Sequence, residues 1–357
     1  MTVRPSVPAR SRHWPTAIDL FSGAGGLTLG LRQAHFKVVG AVEIDDLAAE
    51  TYRTNFPGVR LWEMDIRELT VARVLRELRL RRGQLDLLAG CPPCQGFSTL
   101  RSLNGHRAVD DDRNDLVLQF DRFVRGLRPR AVMLENVPGL ATDLRLADLV
   151  ASLKAMGYTV TTGVLDASKF GVPQRRRRMI LMAGKRGSIP LAAEAATRST
   201  VRDVIGGLAA AGSSGDPLHD LPEKRMPKIA ALISRIPKDG GSRSDLGEED
   251  QLECHKRSDG FHDVYGRMSW SDVAPTITSG CVNPSKGRFL HPQHDRTITL
   301  REAALLQGFP AEHQFALRRG KYAVAEMIGN ALPPEFIRRH AVEIRRSILA
   351  DGSYGHA

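Results

Sequence analysis

The chain has 357 residues, 42% of them hydrophobic, so it can bury a large core without disulfide bonds or a structural metal ion. Its net charge of +11 favours a polyanionic partner such as nucleic acid, although a basic enzyme from an Arg-rich proteome would carry the same charge. Four cysteines, no secretory signal and no apolar run of membrane-spanning length argue against a disulfide scaffold or a membrane protein, and predict a cytoplasmic protein.

Regular structure is predicted from about residue 17, after an Arg- and Pro-rich start that we expect to be a disordered tail (1–15). From there, short apolar strands such as "AIDLF" and "LDLLAG" alternate with helical stretches such as "DLVLQFDRFVRGL", up to "RRMILMAG". Buried strands separated by helices are typical of βαβ units. The pattern over residues 16–184 therefore predicts an α/β domain with a doubly wound, mostly parallel sheet.

The alternation stops after Gly184. The pattern becomes irregular, and the stretch 185–295 contains 15 basic and 15 acidic residues, so the excess positive charge lies elsewhere. Regular helix returns in "TLREAALLQGF" and "AEMIGNALPPEFIRRHAVEIRRSIL". We therefore expect a smaller irregular domain (185–290), followed by a C-terminal segment (291–357) that returns to the α/β domain.

A glycine-rich loop follows the first predicted strand, in "DLFSGAGGLTLGL". Glycine lets the backbone approach a ligand closely at the carboxyl end of a strand. A dinucleotide fingerprint would have a third glycine where this chain has Thr28, and Glu43, 20 residues after Gly23, suits a ribose diol. The loop fits a nicotinamide dinucleotide or S-adenosylmethionine, and Thr28 favours the second.

Two cysteines, Cys91 and Cys94, lie in "GCPPCQGFS" directly after a predicted strand. Such a pair can be a redox dithiol, half of a zinc site, or a nucleophile beside an inert thiol. Prolines between the cysteines are unlike a thioredoxin motif, and the other Cys and His residues match no compact zinc spacing, so no metal is expected. Glu135 and Asn136 end another buried strand and would reach the same sheet edge as Cys94, although Glu135 alone also fits a helix cap or an ion pair.

Eight sequence blocks together resemble the C5-cytosine-specific DNA methyltransferases of bacterial restriction-modification systems. In chain order they are "DLFSGAGGL", "VEIDDLAAETYRTNFP", "DI" at 65–66, "GCPPCQGFS", "ENVPGL", "QRRRRMIL", "RTITLREAALLQGFP" and "IGNALPP". Only the N-terminal tail and residues 185 to about 270 fall outside the resemblance. It implies a Rossmann-like, S-adenosylmethionine-dependent methyltransferase fold, in which the irregular domain recognises the target sequence.

The resemblance implies covalent catalysis on a cytosine flipped out of duplex DNA. Cys94 would add to C6 of the base, which turns C5 into a nucleophile for the methyl group, and Cys91 would take no chemical part. Glu135 would protonate or hydrogen-bond N3 of the base, and a pocket that raises its pKa would suit this role.

The arginine run in "QRRRR" opens the last strand of the α/β domain. Strand alternation predicts that Arg176 and Arg178 point to one face and Arg175 and Arg177 to the other. By the resemblance, Gln174, Arg176 and Arg178 form a Gln-x-Arg-x-Arg block beside the flipped nucleotide and its phosphate. The two block arginines are therefore candidates for the catalytic site, with a solvated basic edge as the alternative.

Further ligand-binding residues are implied by the same resemblance. The cofactor pocket would be lined by Phe21, Ser22, Gly23, Gly25, Gly26, Glu43, Ile44, Asp65, Ile66, Pro92, Leu116 and Asn330. Phe21 would stack on the adenine, Asp65 would meet its amino group, and Glu43 would hold the ribose. The DNA contacts would be Gln95, Ser98, Gln174, Arg175, Arg177, Thr276 and Thr278.

The remaining expectations concern partners and rival functions. We expect a monomer acting on double-stranded DNA in the bacterial nucleoid, and a chain of this size suits pairing with a restriction endonuclease for the same site. The first alternative is a transfer RNA cytosine methyltransferase of the same fold. A NAD-dependent enzyme is disfavoured by Thr28, and a silent nucleic-acid-binding module by the presence of Cys94 and Glu135.

Overall fold

The computed structural model describes residues 14–93, 116–247 and 263–350. Its centre is a sheet of seven strands in the order β3-β2-β1-β4-β5-β7-β6. The strands are β1 Thr16–Leu20, β2 Lys37–Glu43, β3 Arg60–Glu63, β4 Leu87–Gly90, β5 Ala131–Asn136, β6 Thr159–Asp166 and β7 Arg177–Gly184. The first five are parallel, and β7 runs antiparallel between β5 and β6. The predicted mostly parallel sheet is therefore confirmed.

Helices alternate with the strands in the first half of the chain and dominate the C-terminal part. In the described ranges the α-helices are α1 Gly26–Gln33, α2 Asp46–Asn55, α3 Val71–Glu77, α4 Leu116–Leu127, α5 Leu144–Ala155, α6 Val201–Ile205, α7 Pro227–Arg235, α8 Leu300–Gln307, α9 Gly320–Asn330 and α10 Pro334–Ala350. Side-chain caps begin several of them: Asp45 accepts two backbone N–H groups of α2, and Thr299 forms a capping box with Glu302 of α8. No helix within the described ranges is long and apolar enough to cross a membrane.

Both faces of the sheet are covered by apolar side chains. In β1, Ile18 and Leu20 belong to the cluster on one face, with residues of α4 and α5. Ala17, which directly precedes Ile18, belongs to the cluster on the other face, with residues of α1 and α10. Because successive strand residues point to opposite faces, a strand buried on both sides needs an uninterrupted apolar run. This explains why the central strands lack an apolar–polar alternation.

The C-terminal helix α10 packs directly onto α1. A Cβ atom at Gly30 of α1 would lie 2.5 Å from the carbonyl oxygen of Pro334, and one at Gly26 would lie 2.4 Å from that of Leu332. Both distances are too short for any side chain, so glycine at these positions allows the two helices to approach. The contact brings the end of α9 close to the glycine loop, which precedes α1.

The segment between β7 and α8 shares a core with the C-terminal helices. Val201 and Ile205 of α6 pack in one buried cluster with Ile277, Phe289 and residues of α8 and α9. We call this cluster the third core. The third core contains residues on both sides of position 290, where the sequence predicts a domain limit. The predicted domain limits stay predictions.

Candidate active site

The carboxyl ends of the parallel strands bring most of the predicted site residues to one edge of the sheet. Phe21 follows β1, Glu43 ends β2, Cys91 follows β4, and Glu135 lies one residue before the end of β5. Ligands of open parallel sheets bind at this edge. Phe21 and Glu43, predicted for cofactor binding, and Glu135, the predicted acid, therefore lie along one edge of the sheet.

The glycine loop between β1 and α1 has one closed side and one open side. The φ angles of Phe21, Gly23 and Gly25 are 65°, 53° and 90°, all in the left-handed region. A Cβ atom at Gly25 would lie 2.2 Å from the ring of Phe56, whereas one at Gly23 would meet no atom of the described residues within 4 Å. A ligand can therefore approach the backbone at Gly23, while Gly25 lets the loop pack against the end of α2.

Backbone N–H groups orient the carboxylate of Glu43. Its Oε2 accepts from Gly23 at 2.7 Å, and its Oε1 accepts from Ile44 at 2.9 Å and from Asp45 at 2.8 Å. Burial raises the pKa of Glu43, and these hydrogen bonds oppose that rise. The neighbouring Ile44 side chain is 64% exposed, which is unusual for an isoleucine. A hydrogen-bonding carboxylate and an apolar surface thus lie side by side.

The other predicted cofactor residues lie at different depths around this edge. Those that are buried are Ser22, Gly25, Gly26, Ile66, Pro92 and Leu116. Those that are half-buried are Phe21, Gly23, Glu43 and Asp65, and the exposed ones are Ile44 and Asn330. Asp65 follows β3, next to β2, and accepts the backbone N–H of Arg67 at 2.8 Å.

The carboxyl group of Glu135 is held from two sides and is 1% exposed. The thiol of Cys91 donates to its Oε2 at 3.0 Å, and Nε of Arg178 lies 3.0 Å from its Oε1 in an ion pair. Burial raises the pKa of Glu135, while Arg178, Cys91 and Arg176 act to lower it. A buried carboxyl group with a raised pKa is what a general acid at neutral pH requires.

Arg176 is buried and joins three parts of the chain. Its guanidinium donates to the carbonyl oxygens of Ile277 at 2.9 Å, Gly329 at 2.8 Å and Ala331 at 3.2 Å. Burial lowers its pKa to about 9, so the group remains charged at neutral pH. Arg175 and Arg177 are exposed, in agreement with the predicted alternation of the arginine run.

Gln174 lies in the same junction and is fully buried. Its Nε2 donates to Oε1 of Gln307 at 2.6 Å, and its Oε1 accepts the N–H of Ile277 at 2.9 Å. Thr276 donates to the carbonyl oxygen of Arg175 at 2.6 Å. Their predicted contacts with DNA stay predictions, as does that of the half-buried Thr278.

The predicted nucleophile Cys94 and the predicted DNA contacts Gln95 and Ser98 lie outside the described residues. Of the cysteines inside them, Cys281 is fully buried in the third core, and burial raises the pKa of its thiol to about 12. The described ranges contain no group of three or more His, Cys, Asp or Glu side chains that could hold a metal ion.

A family model for C-5 cytosine-specific DNA methylases matches residues 16–346. The chain belongs to this family. The methylase is 38% identical over 349 residues to the Type II methylase M.HgiDII of Herpetosiphon aurantiacus, covering 92% of this chain and 94% of that protein. It is 31% identical over 368 residues to the Type II methyltransferase M.XorII of Xanthomonas oryzae, covering 94% and 85%.

Solved structures agree with the fold of this methylase. A DNA modification methyltransferase encoded in an E. coli prophage superimposes with a TM-score of 0.68 at 26% identity, covering 94% of this chain and 100% of that one. The S. pombe Dnmt2 methyltransferase, with a TM-score of 0.58 at 20% identity over 96% and 99%, is a likeness of fold alone. The recognition of the family from its sequence blocks is confirmed, and the named Type II relatives favour DNA over the transfer RNA alternative.

A buried hydrogen-bond network beneath the glycine loop of the methylase was not predicted from the sequence. Thr28 donates to Oδ2 of Asp19 at 2.7 Å and shares a 2.7 Å hydrogen bond with the hydroxyl of Tyr52. All three side chains are fully buried, and Oδ1 of Asp19 lacks a hydrogen-bond partner within the described residues. The signal in the sequence is an acidic residue inside the apolar run "AIDLF", whereas Thr28 stands out only as the absence of a third glycine.

Asp19→Asn should change how the stability of the methylase depends on pH. Burial raises the pKa of Asp19 from 3.8 to about 7. Because the folded-state pKa is higher than the unfolded one, the stability from this group is present at low pH and is lost as the pH rises towards 7. We expect urea denaturation to show little difference from wild type at pH 4, and a gain on the order of 2 kcal/mol in the free energy of unfolding at pH 8.

A matched control with the opposite sign is Glu302→Gln. Burial favours a raised pKa at Glu302, but its two hydrogen bonds from Arg296, at 2.7 and 2.8 Å, give a net lowered pKa. Its stabilisation is therefore present at neutral pH and lost as the pH falls, so the variant should be most destabilised at pH 8. Equal effects of Asp19→Asn at pH 4 and pH 8 would contradict a raised pKa at Asp19.

Proposed function

We propose that the methylase adds a methyl group to C5 of a target cytosine in DNA, with Cys94 as the nucleophile and Glu135 as the acid at N3. The supporting observation is the buried carboxyl group of Glu135 between Cys91 and Arg178, at the sheet edge that the glycine loop shares. Burial favours its protonated form and the guanidinium favours its ionised form. The two opposing effects together suit a group that both gives up and regains a proton.

Each protein group has a separate task in the proposed reaction. The target cytosine must leave the base stack to reach a pocket at the sheet edge. The thiolate of Cys94 then forms a bond to C6, and the proton that Glu135 gives to N3 neutralises the charge that this addition places on the ring. Once C5 carries the methyl group, water takes the C5 proton, the proton on N3 returns to Glu135, and the Cys94 sulfur leaves C6 as a thiolate, which restores the aromatic ring. Arg178 and Arg176 stabilise Glu135 while its proton is on the base.

Cys94→Ser should lower the methylation rate roughly a thousandfold or more, because a neutral hydroxyl adds to C6 far less readily than a thiolate. The rate is measured in single turnovers with labelled S-adenosylmethionine on duplex DNA that contains the target. On a duplex with 5-fluorocytosine at the target, the wild type should form a covalent adduct visible on a denaturing gel, since fluorine blocks the elimination.

Cys281→Ala is the matched cysteine control and should retain both methylation and adduct formation, since Cys281 lies in the third core. An adduct with Cys94→Ser would remove Cys94 from the proposed role. A transfer RNA substrate tested in parallel separates the two proposed substrates: label incorporated into RNA and not into DNA would overturn the DNA assignment.

The residues at the carboxyl edge fit S-adenosylmethionine, which supplies the methyl group when bound. We infer that Glu43, already oriented by three N–H groups, holds the ribose hydroxyls, and that the exposed Ile44 and the half-buried Phe21 contact the adenine. Asp65 would accept the adenine amino group. The open side of the loop at Gly23 leaves space for the backbone to approach the ligand.

Glu43→Ala should raise the Kd for S-adenosylmethionine by about 10- to 100-fold, because it removes hydrogen bonds to a charged acceptor. Isothermal titration of the cofactor gives this value, and the Kd for DNA should remain near that of the wild type. Glu63→Ala is the matched control, since Glu63 ends the adjacent strand opposite Glu43 but its side chain pairs with Arg53. Unchanged cofactor affinity of Glu43→Ala would contradict the ribose assignment.

Residues 185–290 are our proposed target-recognition domain. Phosphate contacts provide most of the salt-dependent affinity for DNA, whereas base-edge contacts provide specificity. The balanced charge of the segment suits base readout, and the exposed Arg175 and Arg177 beside the catalytic groups suit phosphate contacts. Gln95, Ser98, Gln174, Thr276 and Thr278 complete the proposed DNA-binding set.

Replacing residues 190–270 by the same region of a relative that reads a different site should transfer the methylated sequence. The hybrid should retain the core residues Val201, Ile205 and Met268, because they pack in the third core with α8 and α9. Methylated positions are mapped by bisulfite sequencing, and the salt dependence of DNA binding should keep its slope. A folded, active hybrid that still methylates the original site would place specificity outside this region.

The names of the relatives also support a biological setting. Because they are called Type II methylases, we propose that this enzyme acts on DNA beside a restriction endonuclease that cuts the same site. We further propose that it acts as a monomer in the bacterial nucleoid.

A further inference from the structure

Cys91 is positioned opposite Glu135 by the register of the sheet. Strands β4 and β5 are parallel, with Gly90 beside Leu134, so the next pair along the two strands is Cys91 and Glu135. The backbone N–H of Cys91 donates to the carbonyl oxygen of Leu20 at 3.3 Å, which extends the pairing of β4 with β1 by one residue. The thiol is therefore held in place from both neighbouring strands.

A second contact ties the same two chain segments together. The Nδ2 of Asn136 donates to the carbonyl oxygen of Pro92 at 2.9 Å, next to the hydrogen bond from Cys91 to Glu135. The side chains of Glu135 and Asn136, at the end of β5, are thus both hydrogen-bonded to residues that directly follow β4. In the carboxyl group of Glu135, Oε2 accepts the hydrogen bond from the Cys91 thiol and Oε1 forms the ion pair with Arg178.

The chemistry of a thiol suits this position. The groups that face Glu135 in the described residues are Cys91 from the end of β4, Arg178 from β7 and Arg176 from the segment before it. A positively charged side chain in place of Cys91 would add a third cation to the two guanidinium groups and would hold the carboxyl group of Glu135 in its ionised form. A thiol is a weak, uncharged donor, so it orients one oxygen with little electrostatic bias against protonation.

We propose that Cys91 is a positioning residue for Glu135: its thiol fixes the orientation of the carboxyl group through Oε2 and leaves that group able to bind a proton. The proposal rests on the proposed acid role of Glu135. It gives a task to a cysteine that the family resemblance leaves without a chemical part.

The test compares Cys91→Ala with Cys91→Ser in single-turnover methylation over a range of pH, with DNA and S-adenosylmethionine saturating. Alanine removes the donor, so the rate should fall about 3- to 10-fold, and the limb of the profile that reports ionisation of Glu135 should move up by about 0.5 pH unit. Serine keeps a donor of similar size and should restore most of the rate and the wild-type limb. Cys281→Ala, which deletes a buried thiol of the third core, should match the wild type in both respects.

An infrared measurement on the resting enzyme gives a readout independent of activity. The S–H stretching band that is lost in Cys91→Ala should move to higher frequency in Glu135→Ala, since the acceptor of the thiol has been removed. An unmoved band, or a Cys91→Ala profile identical to that of the wild type, would overturn the proposal. Equal rate losses in Cys91→Ala and Cys91→Ser with an unshifted limb would reduce Cys91 to a packing residue.

The variant Glu135→Gln separates the proposed positioning role of Cys91 from the proposed acid role of Glu135. If Glu135→Gln methylates at the wild-type rate, the acid role of Glu135 fails and the positioning role fails with it. If Glu135→Gln is impaired while Cys91→Ala behaves as the wild type, only the role of Cys91 is wrong. Where Glu135→Gln retains measurable activity, adding Cys91→Ala should cost it less than the same change costs the wild type, because the two side chains act through one contact.

Discussion

Burial of the Arg176 guanidinium is the constraint on which the active-site arrangement depends. A charge removed from water is costly unless it finds hydrogen-bond partners. Here Nη1 and Nη2 of Arg176 donate to the carbonyl oxygens of Ile277, Gly329 and Ala331, while its Nε has no partner within the described residues. One of these belongs to the segment before α8, and the other two to the end of α9 and the residue that follows it. The cation can be buried only when both regions pack against the sheet, so the sheet, the middle segment and the C-terminal helices are joined at one side chain.

The guanidinium of Arg176 also affects the pKa of Glu135. Burial pushes the carboxyl group towards its neutral form, while Arg178 and, to a smaller extent, Arg176 pull it towards its ionised form. Neither effect alone would suit a proton donor that must also be regenerated. Because the guanidinium of Arg176 is held by carbonyl oxygens of the middle segment and of the C-terminal helices, the electrostatics at Glu135 depend on how these distant parts of the chain pack.

The position of the glycine loop depends on close packing at two of its glycines. Gly25 and Gly26 allow close approach to Phe56 and Leu332, and this fixes the loop that places the Gly23 N–H against Glu43. A carboxylate that accepts three backbone N–H groups is oriented before any ligand arrives, so less freedom has to be lost on binding. The loop is therefore a product both of local glycine conformations and of the return of the C-terminal helices.

Local patterns in the sequence determined the sheet and the edge that would hold the site. Unbroken apolar runs identified strands buried on both faces, and the positions of Glu43 and Glu135 after those runs placed them at the carboxyl edge, because these patterns depend only on neighbours along the chain. The alternation of Arg175 to Arg178 followed from strand geometry in the same way. The identity of the family came from the ordered blocks.

Contacts between distant residues were decided only by the tertiary structure. The thiol of Cys91 meets Glu135 because of the register of β4 against β5, and Gln174 is buried because Gln307 of α8 packs over it. Asp19 was visible as an acid in an apolar strand, but its partner Thr28 became clear only when α1 lay against that strand. Sequence patterns report which face a side chain prefers. Which partner it meets there is set by strand register and helix packing, which no local pattern encodes.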